Sequence, residues 1–596
     1  MQKLAVRLGP KPVRPLLERM NPGGWTIDTA AFPGGEIGVI HAPSKHTGIL
    51  AKTGTGPGLM RLENGDIIAW SGLPLAEGRT VKLRAARDLL TLGRGLDGVF
   101  SAVGWSAEDG RLYATIDFLG LQPFYYGETP DGWMAANETK PFPYVPDAAG
   151  WGGFIAFGQT IGGSTLAHHA ERLRPATALT IAPGDAGAPA KVEATRYWQM
   201  PDEKPKEPAT ADIVATLEAN TAAYQALADE SVLLLSGGFD SRLILGLLHR
   251  LKAENRRALI LSHYDEDADL DGRLAAITAR ITDTPIEYDH PDRQFFSSGA
   301  YLDYIHAIDG GTPNLYMFIA QLSAVLEGRK AVWDGLIPPL ALRGPLQTAD
   351  GALVPFRHER FLTGGAPIRI FKPKVLQDMR DAFQAEFERT KTLFPDSPHG
   401  RWQWIVENRM RNRTGVNPTK VYVNHVTPLL VGSSRALWEL AATIPFERRR
   451  DYQYYIDVFR TLSPELTRVP FSSGGDLHRA DAPWHTYQTY ALQQKGWRAL
   501  ARRPRLARMV GIANEAAFAP SCFMNSPALY REEDDLLDMD AVRRMETDEA
   551  LRATNGKLLF HWRTTRWVHE NRLHTTLLEA PDDRDQPLPA LAAQAG

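Results

Sequence analysis

The clearest chemical signal in the sequence is a hexapeptide with two adjacent glycines. It lies between a short apolar run, residues 231–235, which predicts a buried strand, and a second apolar run, residues 242–251, which predicts a helix. Two glycines at such a junction let backbone N–H groups approach an anion at the helix N-terminus, where the helix dipole also favours negative charge. The predicted phosphate-binding residues of this hexapeptide are Ser236, Gly237, Gly238, Phe239, Asp240 and Ser241.

The polar side chains of the hexapeptide have distinct expected roles. The hydroxyls of Ser236 and Ser241 can donate hydrogen bonds to phosphate oxygens. Asp240 would repel a phosphate by itself, so its natural role is to hold a Mg²⁺ ion that bridges phosphate groups. A tight turn capped by Asp240 and Ser241 is the alternative. The segment is neither a Walker loop nor a dinucleotide fingerprint, because no Gly-Lys-Ser/Thr follows and the glycines are adjacent.

The elements around the hexapeptide predict a parallel sheet. From about residue 209, helical patterns at 211–228, 242–251 and 271–281 alternate with strand patterns at 231–235 and 258–262. Such alternation predicts right-handed βαβ units. Beyond about residue 300 the pattern is mainly helical.

The end of the second predicted strand belongs to the same edge of that sheet. Ligands of parallel sheets bind beyond the carboxyl ends of the strands. Leu261 and Ser262 are therefore added to the predicted nucleotide-binding residues. An acidic run at residues 265–271 follows, and we interpret it as a solvated face and the start of a helix.

The first third of the chain has a different pattern. Residues 1–200 are rich in glycine, proline and aromatic residues, and short alternating runs between turn residues predict a meandering antiparallel β domain. The charged, proline-rich residues 201–208 predict a linker. The predicted organisation is completed by a second domain at 209–500 and a helical C-terminal extension at 501–596.

The amino-acid composition argues against several classes of function. With 67 Lys and Arg against 70 Asp and Glu, the net charge of -3 argues against bulk binding to nucleic acid or to an anionic membrane. One cysteine, Cys522, excludes a disulfide framework and a cysteine-based metal centre. The longest uncharged stretch, residues 148–170, contains many glycines and predicts a loop or short helix, not a membrane span. We therefore expect a soluble, cytoplasmic protein.

The hexapeptide in its strand–loop–helix setting resembles the pyrophosphate loop of ATP pyrophosphatases, specifically of the asparagine synthetase B family. Other segments resemble that family's N-terminal glutaminase-type fold or its synthetase domain, and they are residues 96–100, 117–126, 172–175, 332–336 and 428–445. The resemblance implies a glutaminase-like (Ntn-type) antiparallel β-sandwich. A parallel-sheet α/β ATP-pyrophosphatase domain and a helical C-terminal extension would follow it.

One departure from the family concerns the source of nitrogen. Glutaminase chemistry in the family needs a cysteine at the mature N-terminus, whose thiolate attacks the glutamine amide. Gln2 stands at that position, and Cys522 lies far outside the domain. The resemblance therefore implies an inactive glutaminase-like domain and nitrogen from the substrate or from free ammonia. In this respect the chain is similar to β-lactam, carbapenam and lasso-peptide macrolactam synthetases, in which the substrate carries the amine.

Other departures concern the residues that the resemblance implies for catalysis. The family's second metal-binding Asp is missing after the third strand, which leaves Asp334 as the substitute metal ligand or as a turn cap. The family often has a Lys two residues after the position of Arg468, and this chain lacks it. Arg468 or Lys420 could supply a cation for amide formation, with a surface charge as the alternative for each. Asn424 replaces a family Glu, which weakens asparagine synthesis as an interpretation.

The resemblance implies an ATP-dependent carbon–nitrogen ligase with ATP and Mg²⁺ as cofactors. A substrate carboxylate would attack ATP and release pyrophosphate, and an amine would then attack the acyl-adenylate. The leading hypothesis is lasso-peptide macrolactam formation, with a precursor peptide as substrate and a precursor-processing protease as partner. Neither nucleic acid nor a membrane is expected as a partner. The alternatives are an ammonia-dependent asparagine synthetase-like enzyme, a β-lactam or other small-molecule synthetase, and a non-catalytic member that binds nucleotide or a partner.

Two further features are interpreted as structural. The arginines at 409, 411 and 413 predict a solvent-exposed stripe at a helix end. The aromatic-rich residues 452–459 predict packing.

Overall fold

In the computed structural model, the N-terminal part of the chain forms two antiparallel sheets that pack against each other. The structure describes residues 2–41, 49, 52–55, 58–76, 80–184, 188–202, 206–228, 231–262, 270–312, 317–327, 331–343, 366–473, 476–501, 503 and 521–578. The strands of these sheets are β1 (Lys3–Leu8), β2 (Thr26–Phe32), β3 (Gly35–His41), β4 (Leu59–Arg61), β5 (Ile67–Ala76), β6 (Leu96–Trp105), β7 (Leu112–Ile116), β8 (Tyr125–Thr129), β9 (Gly132–Ala136), β10 (Glu171–Arg172), β11 (Thr177–Ala182) and β12 (Lys191–Arg196). Among the described residues, one sheet has the order β10-β8-β9-β1-β3-β2 and the other β12-β11-β7-β6-β5-β4.

Alternation of side chains along the strands explains why the two sheets pack face to face. In β1, Leu4 and Val6 belong to the core between the sheets, whereas Ala5 faces the opposite side, where the helix Arg14–Met20 packs. The strand β5 alternates in the same way between that core and an outer cluster. The predicted antiparallel β domain is confirmed.

A five-stranded parallel sheet follows in the chain. Its strands are β13 (Ser231–Leu234), β14 (Arg256–Leu261), β15 (Ile286–Asp289), β16 (Ala331–Asp334) and β17 (Thr427–Leu430). In the described part of the chain their order is β15-β14-β13-β16-β17, and each neighbouring pair is parallel. The chain runs outward from β13 in one direction and then returns to the other side at β16. Between β13 and β16 lies the point of reversal at which parallel sheets bind ligands.

Helices surround the parallel sheet and form most of the C-terminal region. The α-helices are Arg14–Met20, Leu89–Leu92, Ala148–Phe157, Thr210–Gln225, Phe239–Arg250, Leu270–Ile281, Arg293–Phe296, Gly299–Ala307, Met317–Val325, Pro338–Leu342, Pro373–Lys391, Pro398–Arg409, Thr419–Tyr422, Arg435–Ala442, Phe446–Arg449, Gln453–Leu462, Pro464–Thr467, Trp484–Ala501, Ser521–Met524, Ala528–Arg531, Met539–Arg544, Glu549–His569 and Leu573–Leu578. A π-helical turn spans Met410–Thr414, and a hairpin joins β18 (Phe471–Ser473) to β19 (Asp476–His478). Within the described ranges, none of these helices is long and apolar enough to cross a membrane.

The C-terminal helices share a core with the N-terminal part of the chain. The uncharged stretch at 148–170 forms the helix Ala148–Phe157, as predicted, and Trp151 on this helix lies 4.6 Å from Trp562, measured between ring centroids. Trp562 belongs to the helix Glu549–His569, which also packs against the helices that follow β15. The mixed α/β fold with a helical C-terminal region is therefore as predicted. Residues 265–269 of the predicted acidic run, 265–271, lie outside the described residues.

Candidate functional site

The hexapeptide loop, residues 236–241, lies at the point where the strand order reverses. β13 ends at Leu234, and the helix Phe239–Arg250 begins inside the loop, with Gly238 as its N-terminal cap. The loop that follows β16 packs directly against it, because a Cβ atom on Gly335 would lie 2.4 Å from the carbonyl group of Asp240. The two loops therefore meet at the edge of the sheet where a ligand is expected.

The two serines hold the hexapeptide loop in shape. The backbone N–H of Ser236 donates to the Ser241 hydroxyl at 3.0 Å, and the two hydroxyls lie 3.0 Å apart. The N–H of Gly238 donates to the Ser236 hydroxyl at 3.3 Å. These hydroxyls thus preorganise the loop around the helix N-terminus, in addition to any role as phosphate donors.

Gly237 is required because two other segments approach it closely. An added Cβ would lie 2.8 Å from the carbonyl oxygen and from one carboxylate oxygen of Asp271, and 3.1 Å from the Ser472 hydroxyl. The Ser472 N–H donates to the Gly237 carbonyl at 3.0 Å, and its hydroxyl donates to the Asp271 carboxylate. Close approach, not an unusual φ angle, therefore explains this glycine.

Arg242 is a structural residue of the site that the sequence analysis missed. Its guanidinium is fully buried and donates to the Gly237 carbonyl at 3.0 Å and to three carbonyls in the segment 466–470 at 2.7–3.2 Å. Burial lowers its pKa to about 9, and the charge of Asp271 opposes that change. These hydrogen bonds connect the segment 466–470 to the hexapeptide loop. An arginine within an apolar helical run was the sequence signal for such a role.

Asp240 has an accessible carboxylate. Its side chain is 41% exposed, the Tyr455 hydroxyl donates to it at 3.5 Å, and the nearest Arg343 nitrogen lies 3.8 Å away. Burial of the carboxylate among surrounding atoms raises its pKa even so, and the positive charges of Arg343 and Arg409 oppose the rise. Both protein contacts are long, so the carboxylate retains the capacity to bind a cation.

Asp334 is held more firmly. One of its carboxylate oxygens accepts from the Leu336 N–H at 2.9 Å, and the other accepts from the Tyr422 hydroxyl. Burial raises its pKa to about 6, and the charge of Asp240 adds to the rise. The bond to Leu336 is the turn cap considered above. Its predicted role as a metal ligand stays a prediction.

The donor set at the loop fits Mg²⁺ in one specific way. Asp240 offers an accessible carboxylate of the kind that Mg²⁺ takes. Asp334 already accepts two protein hydrogen bonds, so it fits best as a partner of metal-bound water. Within the described ranges, no group of three or more His, Cys, Asp or Glu side chains could hold a metal ion. A Mg²⁺ ion here would therefore take most ligands from phosphate oxygens and water, as is usual for this ion.

The two predicted catalytic cations lie in contrasting places. Lys420 is buried, with its ammonium 2.5 Å from Asp309, so the surface-charge alternative is wrong for this residue. Arg468 is exposed, which agrees with that alternative. Among the described contacts, neither side chain touches the hexapeptide loop. Their catalytic roles stay predictions.

Lys420 belongs to a buried ion cluster formed by Lys3, Glu138, Lys140, Asp309 and Lys420. The Lys3 ammonium lies 2.9 Å from Glu138, and Lys140 contacts Glu138 and also Asp309, the latter at 2.8 Å. Burial lowers the pKa of Lys3 to about 8. Burial would raise the pKa of Asp309, but Lys140 and Lys420 outweigh it and hold this pKa well below its usual range. The cluster joins the N-terminal sheets to the helices around the parallel sheet.

Two structural interpretations are tested by these contacts. Arg411 is fully buried and donates to the carbonyls of Gly162 and Leu173, so the predicted exposed stripe is wrong at this position. The aromatic stretch does pack, since the Phe459 ring lies 4.7 Å from the buried Phe239 ring. Only the backbone of Phe239 is therefore available to an anion. Tyr455, however, also reaches Asp240.

The remaining predicted nucleotide-binding residues lie at the same edge of the parallel sheet. Leu261 ends β14, the neighbour of β13. The Ser262 N–H donates to the Asp289 carbonyl at 2.9 Å, and the Ser262 carbonyl lies 2.8 Å from a ring nitrogen of His290. Their contact with a nucleotide stays a prediction.

The N-terminal position that the resemblance assigns to a nucleophile is buried in the sandwich. Gln2 is 1% exposed, and its carbonyl accepts from the Ser71 hydroxyl at 2.5 Å. Gln122 in turn donates to Ser71 at 2.8 Å. Position 2 thus has amide and hydroxyl neighbours and carries no thiol.

Comparisons with known proteins give a partial match. No protein-family model matches the chain. Over 162 residues it is 26% identical to asparagine synthetase [glutamine-hydrolyzing] 3 of Bacillus subtilis (strain 168), which is 26% of this chain and 25% of that protein. The chain therefore matches about a quarter of the length of this curated relative.

Two solved structures are also similar at a low level. Glutamine phosphoribosylpyrophosphate amidotransferase from B. subtilis, complexed with ADP and GMP, is 13% identical with a TM-score of 0.21, covering 58% of this chain and 76% of that one. The allosteric regulatory enzyme of purine biosynthesis is 13% identical with a TM-score of 0.22, covering 48% and 65%. TM-scores this low establish no shared fold.

Proposed function

We propose that this protein is an ATP-dependent carbon–nitrogen ligase, which adenylates a substrate carboxylate and joins it to an amine. The observation that carries the proposal is the hexapeptide loop at the reversal of the strand order, where a helix N-terminus and the accessible Asp240 meet. A helix N-terminus favours an anion and Asp240 favours a cation, and a metal-bound nucleotide phosphate offers both. The match to an asparagine synthetase supports an amide-forming reaction.

The first half-reaction forms an acyl-adenylate. A carboxylate oxygen of the substrate attacks the α-phosphorus of ATP, the bond from that phosphorus to the bridging oxygen breaks, and pyrophosphate leaves. Negative charge grows most on the pyrophosphate, which the N-terminus of the helix Phe239–Arg250 would stabilise. Bound at Asp240, Mg²⁺ would supply additional positive charge to this leaving group.

In the second half-reaction an amine attacks the activated carbonyl and AMP leaves. Gln2 has no thiol with which to release ammonia from glutamine, which favours an amine carried by the substrate. An intramolecular amine also gains the advantage of a positioned nucleophile. The preferred substrate is therefore a precursor peptide whose Asp or Glu side chain joins its own N-terminal amine, as in lasso-peptide macrolactam formation. A processing protease that exposes this amine would be the partner.

A second candidate is ammonia-dependent asparagine synthesis. The match to an asparagine synthetase favours it, and free ammonium would then replace glutamine as the nitrogen source. Asn424 at the position of a family Glu counts against it.

An ATP–pyrophosphate exchange assay tests the proposal. The substrates are a peptide with a free N-terminus and an internal Asp or Glu, its N-acetylated form, and aspartate with ammonium. We expect both peptides to support exchange, because adenylation needs no amine, and only the free peptide to lose one water by mass spectrometry. Formation of asparagine would favour the second candidate. If no carboxylate supports exchange and Asp240→Ala binds nucleotide as well as the wild type, the proposed ligase activity is refuted.

A further inference from the structure

Arg343 is a cation at the candidate site that the sequence analysis did not single out. It directly follows the helix Pro338–Leu342, which begins shortly after β16. The connection that begins at Asp334 therefore also brings Arg343 to the hexapeptide loop. One guanidinium nitrogen, Nη2, lies 3.8 Å from the Asp240 carboxylate, and the side chain is 23% exposed.

Tyr452 orients the guanidinium of Arg343. Nη1 donates to the Tyr452 hydroxyl at 2.6 Å, and the guanidinium carbon lies over the tyrosine ring, 5.1 Å from its centroid. A hydrogen bond and a cation–π contact to one residue fix the plane of the group. Nη1 is thereby committed to the protein, and the opposite edge of the guanidinium faces Asp240.

That opposite edge has unused donor capacity. Among the described atoms, Nε of Arg343 is buried and has no hydrogen-bond acceptor. Within the described ranges, Nη2 has only the long contact to Asp240. The Nε and Nη2 groups form the fork with which arginine binds two oxygens of a phosphate, and a buried donor without an acceptor is costly. The arrangement therefore favours an oxyanion that accepts from both nitrogens.

We propose that Arg343 binds the pyrophosphate portion of ATP and stabilises it as the leaving group. This inference rests on the proposed function and adds a residue to it. The helix N-terminus would contact the pyrophosphate from one side and the Arg343 fork from the side of the β16 loop. Because the contact with Asp240 is loose, Asp240 can bind a cation while the fork binds phosphate oxygens. Arg343 would then supply a permanent positive charge where the charge of the leaving group grows.

Titration calorimetry of the full-length protein with inorganic pyrophosphate and, separately, with AMP, both with Mg²⁺, tests the proposal. Arg343→Met is expected to weaken pyrophosphate binding by about tenfold or more, the effect of losing a charge-assisted fork. Arg343→Lys should recover part of the affinity, because lysine keeps the charge without the fork. AMP binding should stay unchanged in both variants. Thermal melting verifies that each variant is folded.

A matched control removes one arginine at the other end of the parallel sheet. Arg257 lies near the start of β14, 3.0 Å from Glu287, so Arg257→Met makes the same change in charge away from the loop. Its affinity for pyrophosphate should equal that of the wild type. Tyr452→Phe keeps the ring and removes the hydroxyl, and we expect a smaller loss of pyrophosphate affinity than in Arg343→Met.

The other outcomes separate this inference from the proposed function. If Arg343→Met binds pyrophosphate like the wild type, Arg343 has no such role and the proposed function stands. If it loses AMP and pyrophosphate affinity equally, Arg343 is a structural counter-ion of Asp240 and the inference is overturned. If the wild type binds neither pyrophosphate nor ATP, the proposed function fails, and the inference fails with it.

Discussion

Asp240 in the hexapeptide loop and Asp309 in the buried ion cluster both face cations from distant segments, but in different surroundings. Asp240 is 41% exposed and lies 3.8 Å from Arg343. Asp309 is 3% exposed and lies 2.8 Å from Lys140 and 2.5 Å from Lys420. The pKa of Asp240 is raised by burial, whereas that of Asp309 is held well below its usual range because the two lysines outweigh burial.

The difference in exposure and contact distance distinguishes a site that can bind a ligand from an ion cluster that holds the protein together. Charges removed from water must be paired completely, because a buried charge without a partner is costly. In the ion cluster each charged group has an opposite charge within 2.9 Å. At Asp240 the contacts are long, so both the carboxylate and the arginine can still accept other ligands. Similar residue types therefore hold the protein together in one region and remain available to a ligand in the other.

Asp309→Asn is expected to give the largest effect, on stability. It removes the carboxylate that pairs with Lys420 and leaves Lys140 with Glu138 alone, which should lower the free energy of unfolding by about 3–5 kcal/mol. Chemical denaturation followed by circular dichroism measures this change. The double variant with Lys420→Met also removes the charge that Asp309→Asn leaves unpaired and should recover part of the loss. A loss below 1 kcal/mol would mean that the cluster does not hold the two parts together.

Asp240→Asn is expected to act on activity instead of stability. The substitution removes the carboxylate that would hold Mg²⁺ and should lower the rate of ATP–pyrophosphate exchange by about 100-fold or more. The free energy of unfolding should change by less than about 0.5 kcal/mol, since the side chain is partly exposed and loosely bonded. If the variant catalyses exchange at the wild-type rate, Asp240 does not hold a catalytic Mg²⁺ ion.

Asp334 sharpens the comparison, because it is a buried carboxylate that hydroxyl and N–H donors stabilise without a direct ion pair among the described residues. Its pKa rises from 3.8 to about 6, so the folded protein binds the proton more tightly than the unfolded chain. Stability from this group is complete below pH 3.8 and is lost as the pH rises through 6. By this linkage the loss amounts to about 3 kcal/mol at most.

Asp334→Asn tests this expectation. The variant has no titrating carboxyl group at this position, so the difference in unfolding free energy between wild type and variant should change between pH 4 and pH 6, in the direction that disfavours the wild type at higher pH. Denaturation curves at several pH values measure it. A difference that is constant across this range would contradict the raised pKa.

The smallest effect is expected at a surface ion pair. Lys374 lies 2.6 Å from Asp378 on the helix Pro373–Lys391, and its side chain is 81% exposed. Lys374→Ala should leave the free energy of unfolding almost unchanged, because solvent screens exposed pairs. The same denaturation assay provides the comparison with Asp309→Asn. An effect as large as that of Asp309→Asn would mean that burial does not distinguish the two ion pairs.

The parts of the site that could be predicted from the sequence are formed by residues that lie close together in the chain. The loop between β13 and its helix was predicted because the apolar strand, the glycines and the apolar helix follow one another directly. Side-chain alternation within single strands likewise predicted the antiparallel sheets. Arg411 was assigned to the surface, and a surface charge was the alternative to a catalytic role for Lys420, but the structure buries both. Their acceptors lie 111 and 249 positions away in the chain, at Asp309 and Gly162, so local pattern contained no sign of them.

The sequence by itself determined the local elements and predicted a phosphate-binding loop at residues 236–241, because strand, turn and helix preferences act over a few residues. Only the tertiary structure decided which charges are buried and which remain available to a ligand. Arg242 acquired its role from carbonyls more than 220 positions away, and Arg343 acquired its orientation from Tyr452. The ionisation and binding capacity of a side chain depend on the groups that packing brings within a few ångströms, and strand pairing and helix packing set those neighbours.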